Sequence, residues 1–563
     1  MGDSIETLLH KAQHWQHQQQ FNQAIDCLKR LLSIDPNQVE ALHQLGLVYI
    51  QTDDIAKAVE VFEKTVALDT DNPNAHHHLA NAYKIQHHFA EADKHYQIAL
   101  SLNPDYVEAH HNYAGLLMHY DQYQSALQHF HKALQLRPDF HDAHFNLGLL
   151  FLKQQNWDAA RRQFNNVLAL NQNNLKAHFY AGVLALRNED LPLAKNHLLQ
   201  VIKDNPEHID ALINLGVIAL KMKQEQHAVD YFTKALAIDN RKEEAKSNLA
   251  ATFIHHHRYE NALIHYLELI NDHPNNLEYL YNTAVAEMAL GQLSNAEKHF
   301  QQCLRLDANH AASINNLAAI CMRLDKIDEA KALLNRVLEI HPDDVISKHM
   351  LAAISDENKP QPTCVEYAKN LFNNYALYYD KHVQNQLDYQ VPHVFKTLLQ
   401  THHLTHFDRA LDLGCGSGLL AEAIHPFCSE IDGVDISENM IELAKAKQYY
   451  HTLYCDEMIH HLQSHSQKYQ IIFAADVLPY FGELEPLMNL MADRLNDNGF
   501  LLFNTEVSET RPWYLQKTGR FAHSQSYIEQ ISQAFKVLDL QSVFGRKQAN
   551  QWLTVNVFLL KKL

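Results

Sequence analysis

A repeat of 34 residues runs through the first 344 residues of the chain and constrains its fold more than any other feature. Alanine returns at this step ten times, at Ala24, Ala58, Ala92, Ala126, Ala160, Ala194, Ala228, Ala262, Ala296 and Ala330. An aromatic residue or a leucine stands four positions after each of these alanines. A period of this length corresponds to one supersecondary unit, so the sequence predicts an array of stacked repeats.

The residues that recur in each unit predict two antiparallel helices. A small residue lies twelve positions before each alanine, where two helices have to cross closely; examples are Gly46, Gly148, Gly182 and Gly216. The aromatic residue fills the space beside the crossing, and a proline ends the second helix in six of the units. This pattern resembles the tetratricopeptide repeat, which implies a right-handed superhelix of ten repeats and a capping helix over residues 5–355.

An asparagine recurs at the sixth position of the first helix in most of the later repeats. These residues are Asn112, Asn146, Asn214, Asn248, Asn282 and Asn316, with Tyr180 interrupting the series. The series resembles the asparagine ladder of the repeat domain of O-GlcNAc transferase, where this position faces the concave groove. Because an amide both donates and accepts, that resemblance implies a groove that binds a protein partner as an extended peptide. Alternatively, asparagine is simply tolerated on the surface of these helices.

Composition and charge narrow the classes of partner. The net charge of −19 argues against a nucleic-acid partner, which a basic surface would favour. No apolar run reaches the length of about 18 residues that a membrane helix needs, so we expect no membrane insertion. Seven scattered cysteines without paired spacing predict a reducing, cytoplasmic environment. The 41 histidines lack the spacing of a metal site, so we expect no metal and place them on exposed helix faces and in inter-helix turns.

A polar segment with two prolines, residues 356–364, predicts a linker to a second domain over residues 365–563. The aromatic-rich stretch that follows, residues 367–382, resembles the beginning of bacterial methyltransferase domains that are linked to repeats. In that group it forms a helical lid over the cofactor, which we expect here within residues 365–400. A plain amphipathic helix packed on the sheet is the alternative.

Three alternating glycines, Gly414, Gly416 and Gly418, follow an apolar run and precede a helical pattern. A strand, a tight turn and a helix N-terminus of this kind allow a backbone to approach a nucleotide cofactor. The dinucleotide fingerprint would place its third glycine at position 419, which is Leu419. The spacing instead resembles motif I of class I methyltransferases that depend on S-adenosylmethionine.

Acidic residues end the three strands expected around this turn, at Asp435, Asp456 and Asp476. Ligands bind at this edge of a parallel sheet, and an acid after the second strand can accept from both ribose hydroxyls. The fold expected is a Rossmann-like α/β domain with a seven-stranded, mostly parallel sheet. The cofactor-binding residues implied are Asp412, Gly414, Cys415, Gly416, Gly418, Asp435, Ile436, Met440, Asp456, Glu457 and Asp476.

The catalytic candidates are Asp476, Tyr480 and His382, with Glu506 and His523 also expected near the reactive edge. The segment Thr518–Ser524 resembles a conserved stretch of the same repeat-linked group, and the sequence assigns it no role. Val477-Leu-Pro-Tyr480 replaces the Asn-Pro-Pro-Tyr motif of enzymes that methylate amino groups of DNA, RNA and glutamine, so these substrates are disfavoured. Three hypotheses remain: a protein methyltransferase, a small-molecule or lipid-linked methyltransferase, and a non-catalytic scaffold.

Overall fold

A computed structural model describes residues 4–256, 258–355, 365–375, 387–548 and 551–563. The chain divides into two compact units, residues 1–245 and 246–563, which are described separately. The predicted linker and His382 lie outside the described residues, and the predicted domain boundaries stay predictions. Within the described residues, no helix combines the length and apolarity needed to cross a membrane.

The first unit consists of consecutive helices that pack in pairs. They are α1 (Ile5–His17), α2 (Phe21–Ile34), α3 (Val39–Gln51), α4 (Ile55–Leu68), α5 (Pro73–Ile85), α6 (Phe89–Leu102), α7 (Val107–His119), α8 (Tyr123–Leu136), α9 (His141–Lys153), α10 (Trp157–Leu170), α11 (Leu175–Arg187), α12 (Leu191–Asp204), α13 (Ile209–Lys221) and α14 (Glu225–Ile238). The repeated alanines and the aromatic residues that follow them are fully buried in this array, as the 34-residue pattern predicts.

The small residues stand where the paired helices cross. A Cβ atom at Gly216 would lie 2.4 Å from the ring of Phe232, and one at Gly46 would lie 2.5 Å from the ring of Phe62. These separations are far below van der Waals contact, so only glycine allows the crossing at these two positions. The prediction of a small residue at the crossing is confirmed there.

The histidines of the first unit are not where we expected them. His76 and His77 are each only 4% exposed, and His110 is 8% exposed. The Nδ1 atom of His76 lies 2.9 Å from Nδ1 of His95, and the corresponding atoms of His110 and His129 lie 2.8 Å apart. The expectation of exposed faces is wrong for these three residues; His76 and His110 are buried because each is hydrogen-bonded to a half-buried histidine of the neighbouring helix.

The second unit begins with the last repeats. Their helices are α15 (Glu243–His255, which begins at the border of the two units), α16 (Tyr259–Asp272), α17 (Leu277–Ala289), α18 (Leu293–Leu306), α19 (Ala311–Arg323), α20 (Ile327–Ile340) and α21 (Val345–Ile354). Ala296 and Ala330 are fully buried here, as is Phe300, so the same alternation of small and large residues builds this core.

The α/β part of the second unit contains the predicted sheet. Its strands are β1 (Phe407–Leu413), β2 (Cys428–Asp435), β3 (Thr452–Cys455), β4 (Tyr469–Ala474), β5 (Leu495–Val507), β6 (Trp513–Leu515), β7 (Phe521–His523), β8 (Phe535–Gln548) and β9 (Gln551–Lys562). Its helices are α22 (Val365–Tyr375), α23 (Val391–Thr401), α24 (Leu419–Ile424), α25 (Glu438–Lys447), α26 (Met458–Ser464), α27 (Glu485–Arg494) and α28 (Gln525–Ile531). The predicted fold class, a helical repeat array followed by an α/β sheet domain, is confirmed.

The sheet has nine strands in the described residues, so the predicted number of seven is wrong. The order is β3-β2-β1-β4-β5-β7-β6, with β9 antiparallel to β5 and β8 antiparallel to β9. The two strands that the sequence analysis missed are β6 and β7, which form a short hairpin at the end of β5. Each is three residues long, too short to show the alternation by which strands are recognised in a sequence.

Apolar residues of alternate positions build a core on each face of the sheet. Leu411 and Leu413 of β1 face one core, and Ala410 of the same strand faces the other. Strands covered on both faces read as continuous apolar runs, which explains the clear sequence signal of β1 and β4. The carboxyl ends of β1–β4 therefore lie side by side at one edge of a rigid sheet.

Candidate functional site

The glycine turn folds against the end of β2. The N–H groups of Gly414 and Cys415 donate to the carbonyl of Val434, at 2.8 and 3.0 Å. Gly414, Gly416 and Gly418 all have positive φ angles, of 69°, 53° and 86°, which side chains disfavour. In the described part of the chain, no atom lies within 4 Å of where a Cβ of Gly416 would be. The backbone of this turn is thus open to a ligand.

Asp435 joins the glycine turn to the next helix. Its Oδ2 accepts from the N–H of Gly416 and its Oδ1 from the N–H of Ser437, both at 2.9 Å. Burial raises the pKa of Asp435 to about 6, although these backbone hydrogen bonds lower it. Ser437 caps α25, as predicted, by accepting from the N–H of Met440. The Asp435 carboxylate is consequently held in one orientation at the end of β2.

Asp412 and Cys415 lie behind the turn. The hydroxyl of Tyr450 donates to Oδ2 of Asp412 at 2.8 Å, while Oδ1 is buried with no hydrogen-bond partner in the described residues. Burial raises the pKa of Asp412 to about 7 and raises that of the Cys415 thiol. Met440 is also fully buried. These three predicted cofactor residues support the turn from inside.

The end of β3 presents two acidic residues beside Asp435. The N–H of Asp456 donates to the main-chain carbonyl of Asp435 at 3.0 Å, which ties the ends of β2 and β3 together. Glu457 caps α26, because its Oε2 accepts from the N–H of His460 at 2.8 Å. Its other oxygen, Oε1, is buried and has no hydrogen-bond partner in the part of the chain described.

These strand ends enclose a cleft of about 500 Å³ that is partly open to solvent. It is lined by Val365, Ala368, Phe372, Gly414, Val434, Asp435, Ile436, Asp456, Glu457, Met458, Val477, Tyr480 and Phe481. The first three residues come from α22, and the ring of Phe372 lies edge-on to that of Tyr480 at 5.1 Å. Helix α22 therefore forms part of the cleft wall, and its apolar residues pack on the sheet core; the helical lid within residues 365–400 stays a prediction.

Asp476, beyond the end of β4, is held in place by a buried arginine. Its backbone has a φ angle of 56°, and its N–H donates to Oδ1 of Asn504 at 2.7 Å. Its Oδ1 accepts from Nη2 of Arg520 at 2.7 Å. The same arginine donates from Nη1 to the hydroxyl oxygen of Tyr480 at 2.7 Å and from Nε to Oε1 of Glu506 at 2.6 Å.

This network changes how the predicted catalytic residues are interpreted. Asp476 is an ion-paired carboxylate, and Tyr480 lines the cleft with a pKa that burial raises. Glu506 is the counter-ion of both Arg520 and Arg546. Each of these groups already has a hydrogen-bonded or charged partner, and of the three only Tyr480 lines the cleft.

Two further residues complete the comparison with the expected site. His523 is fully buried, its Nε2–H donates to the carbonyl of Gly482 at 2.9 Å, and burial lowers its pKa to about 4. Arg520 was missed as a functional residue, although it stands in the segment Thr518–Ser524 that resembles a conserved stretch. Arg520 and Asp476 are 44 positions apart, so no local sequence pattern predicts that they pair.

The asparagine series is half-buried and makes contacts of several kinds. In the first unit, Asn112 and Asn146 donate to Nε2 of His77 and His111, while Asn214 donates to the carbonyl of Asp210 in its own helix. In the second unit, Asn282 and Asn316 donate to the hydroxyl oxygens of Tyr266 and Tyr281, and the main-chain carbonyl of Asn248 accepts from Thr252. A role for this series in binding a partner stays a prediction.

Family models match both parts of the chain. A methyltransferase domain matches residues 379–554. Tetratricopeptide repeat models match residues 16–84, 181–243 and 287–354, and a model of the middle TPR-like domain of cilia and flagella-associated protein 70 matches residues 76–179.

Curated relatives of the methyltransferase part share short stretches with this chain. A ubiquinone biosynthesis O-methyltransferase from Coxiella burnetii is 32% identical over 98 residues, which are 17% of this chain and 42% of that protein. One from Hydrogenovibrio crunogenus is 24% identical over 102 residues, 17% of this chain and 41% of that protein. The chain thus spans less than half the length of these two relatives.

Solved repeat structures also resemble part of the chain. A structure of PilF from Pseudomonas aeruginosa matches with a TM-score of 0.35 and 23% identity, over 37% of this chain and 95% of that one. The family models show that the chain is a tetratricopeptide-repeat protein that carries a methyltransferase domain.

Proposed function

We propose that the chain is a methyltransferase that uses S-adenosylmethionine and acts on a protein bound by its repeats. The observation that carries the proposal is the position of Asp435, whose carboxylate bridges Gly416 and Ser437 at the end of β2. With the backbone N–H of Ile436 as a third donor, about one of the four acceptor sites of this carboxylate is left for a ribose hydroxyl. An acidic residue at this place of an open α/β sheet is suited to a nucleoside ligand.

The residues of the cleft fit this cofactor. Ile436 and Met458 line the cleft beside Asp435 and offer apolar contact to an adenine ring. The unpartnered Oε1 of Glu457 can accept from an amino group. The open backbone at Gly416 leaves room for the amino-acid portion near the glycine turn.

When bound, S-adenosylmethionine supplies a methyl group attached to a positively charged sulfur. The acceptor's nucleophile attacks the methyl carbon in line, and the sulfur is the leaving group. The chain's own contribution is orientation and exclusion of water. Phe372 and Tyr480 form an apolar wall, and Arg520 fixes Tyr480 and Asp476 beside it. Because Asp476 is ion-paired, we assign it a role in positioning and not in removing a proton from the acceptor.

The proposal that the repeats bind a protein acceptor of the methyl group rests on a groove in the first unit. Asn146, His111, Asp142 and Lys176 line a groove of about 930 Å³ that is open to solvent. Their amide, imidazole, carboxylate and ammonium groups can pair with the polar backbone of an extended peptide. Tetratricopeptide repeats generally mediate protein interactions, which supports the same assignment.

A second candidate is methyl transfer to an apolar small molecule. The cleft is lined mainly by apolar side chains, including Phe372, Val477 and Phe481. The relatives named above are described as ubiquinone biosynthesis O-methyltransferases. In this alternative the repeats serve assembly and do not bind the acceptor.

Calorimetry with S-adenosylmethionine tests the cofactor. We expect Asp435→Ala to bind about 10–100-fold more weakly than the wild type, because hydrogen bonds to a charged group are lost. Asp493→Ala, which removes an exposed carboxylate from α27, is the matched control and should bind normally. A wild-type chain that binds no S-adenosylmethionine would overturn the proposed function.

Incubation of a whole lysate with methyl-labelled S-adenosylmethionine distinguishes the two acceptors. Label in a protein band that is lost when Asn112, Asn146 and Asn214 are all replaced by alanine would support the protein acceptor. Label confined to species that extract into organic solvent would support the small-molecule acceptor instead.

A further inference from the structure

The turn of the hairpin β6–β7 brings two polar side chains to Glu506, and one of them, Arg520, also contacts Tyr480 of the cleft wall. In its turn, the N–H of Gln516 donates to the carbonyl of Arg520 at 2.8 Å, and the N–H of Gly519 donates to the carbonyl of Gln516 at 2.9 Å. Nε2 of Gln516 donates to Oε2 of Glu506 at 2.6 Å, and Arg520 donates to the other oxygen of this carboxylate. The position of Arg520, and with it Asp476, thus depends on this turn.

The outer side of the same turn contacts the last helix of the repeats. Nε2–H of His349, in α21, donates to the carbonyl of Gly519 at 3.0 Å. His349 is only 7% exposed, and burial lowers its pKa although the hydrogen bond to Gly519 opposes this. A buried carbonyl that lost this donor would have to remain unpaired or move.

The imidazole of His349 also contacts a helix that lines the cleft. Its ring lies 4.4 Å from the ring of Tyr367 in α22, with an angle of 31° between the planes. Ala368, which follows Tyr367 directly in α22, and Phe372, which follows five positions later, both line the cleft. A single side chain of the repeats therefore touches both the turn that carries Arg520 and a helix that lines the cleft.

Gly519 shows how closely these three elements fit. A Cβ at this position would lie 2.7 Å from the hydroxyl oxygen of Tyr367 and 3.4 Å from the sulfur of Met350. Its φ angle of 78° also lies in the left-handed region that side chains disfavour. The turn consequently has little freedom to shift against α21 and α22.

We propose that His349 is a positioning residue for the methyltransferase cleft. Through the Gly519 carbonyl it orients the turn that carries Arg520, and through Tyr367 it orients α22. Helix α21 is then part of the site although it belongs to the repeats, so the last repeat and the cleft act as one unit. The predicted effect on cofactor affinity rests on the proposed function, whereas the predicted effect on the hairpin does not.

The test compares three substitutions in the full chain. His349→Phe keeps an aromatic ring against Tyr367 but removes the donor, and His349→Gln keeps a donor but removes the ring. Lys517→Ala is the control. Lys517 lies in the same turn and also contacts the repeats, because its Nζ lies 3.2 Å from Oδ1 of Asp325, but both side chains are exposed. Exposed pairs of this kind contribute little to stability, so this change should alter either measurement by less than about twofold.

Two measurements are made on each variant. For His349→Phe we expect the amides of residues 513–523 to exchange hydrogen about tenfold faster, and S-adenosylmethionine to bind about 5–10-fold more weakly. For His349→Gln we expect slow exchange in the hairpin, with faster exchange confined to residues 365–375. Lys517→Ala should match the wild type in both measurements.

Wild-type exchange and wild-type affinity in both His349 variants would overturn the inference. Faster exchange with unchanged affinity would also overturn it, since His349 would then only stabilise the hairpin. If the wild type binds no S-adenosylmethionine, the proposed function fails, and the inference then requires that His349→Phe speeds exchange in residues 513–523 and His349→Gln speeds it in residues 365–375; any other exchange pattern overturns it. The midpoint of thermal unfolding is measured for each variant, and a midpoint equal to that of the wild type shows that the change in exchange is local.

Discussion

Replacing glycine by alanine at two helical positions of the first unit tests how the repeats pack. Gly216 lies where a Cβ would approach the fully buried ring of Phe232 to 2.4, 2.7 and 2.8 Å. Gly115, in α7, is also helical, but the nearest atom to its Cβ in the described residues is Nζ of Lys84 at 4.0 Å. The two positions thus differ mainly in the space available.

The magnitudes follow from two opposing effects. Alanine favours a helix over glycine by about 1 kcal/mol, so Gly115→Ala should raise the free energy of unfolding by up to about that amount. At Gly216 the same gain is opposed by overpacking of a rigid core, which costs about 1–3 kcal/mol. Ordinary carbon contacts are about 3.5–4.0 Å, so a separation of 2.4 Å places this cost at the upper end, and a net loss of about 1–2 kcal/mol is expected.

Urea unfolding of the full chain, followed by far-UV circular dichroism, measures the difference. Because repeat arrays often unfold in more than one step, the midpoint of the first transition is compared between the variants. Gly115→Ala should shift it upwards and Gly216→Ala downwards. Equal stabilisation by both substitutions would refute the argument that the crossing requires glycine.

Two more predictions concern buried charge. Arg520→Met removes the main counter-ion of two carboxylates, Asp476 and Glu506. The free energy of unfolding of the α/β part, measured by urea unfolding, should therefore fall by about 3–5 kcal/mol. Arg520→Lys keeps the positive charge and should lose less of this stability. Burial lowers the pKa of His77 to about 3 and that of His78 to about 4, and the neighbours His78, Lys84 and His111 lower that of His77 further. Below about pH 6.5 the unfolded chain therefore binds protons at these histidines that the folded repeats exclude. The free energy of unfolding of the repeats should be highest above about pH 6.5 and should decrease as the pH falls towards 4. Urea midpoints across this range should vary less for His77→Asn, and a profile equal to that of the wild type would contradict the assignment.

The arrangement of the glycine turn and of the strand ends could be predicted from the sequence because its signals are local. The glycine turn and the cap at Ser437 depend on residues within a few positions, and Asp435 follows its strand directly. Parallel strands place their carboxyl ends at one edge, so the strand ends at Asp435 and Asp456 had to meet. The structure places both beside the cleft.

The repeat array, the glycine turn and the order of the acidic strand ends follow from the amino-acid order alone, because a repeat period and local backbone preferences are properties of neighbouring residues. Three other features depend on how distant elements pack: the ion pair of Asp476 with Arg520, the short hairpin that extends the sheet, and the part-buried histidine pairs of the repeats. The packing of the second unit supplies a fourth. It brings His349 to Gly519, 170 positions away. No local pattern encodes such contacts, because the packing of distant elements sets which side chains become neighbours and which charges lose their access to water.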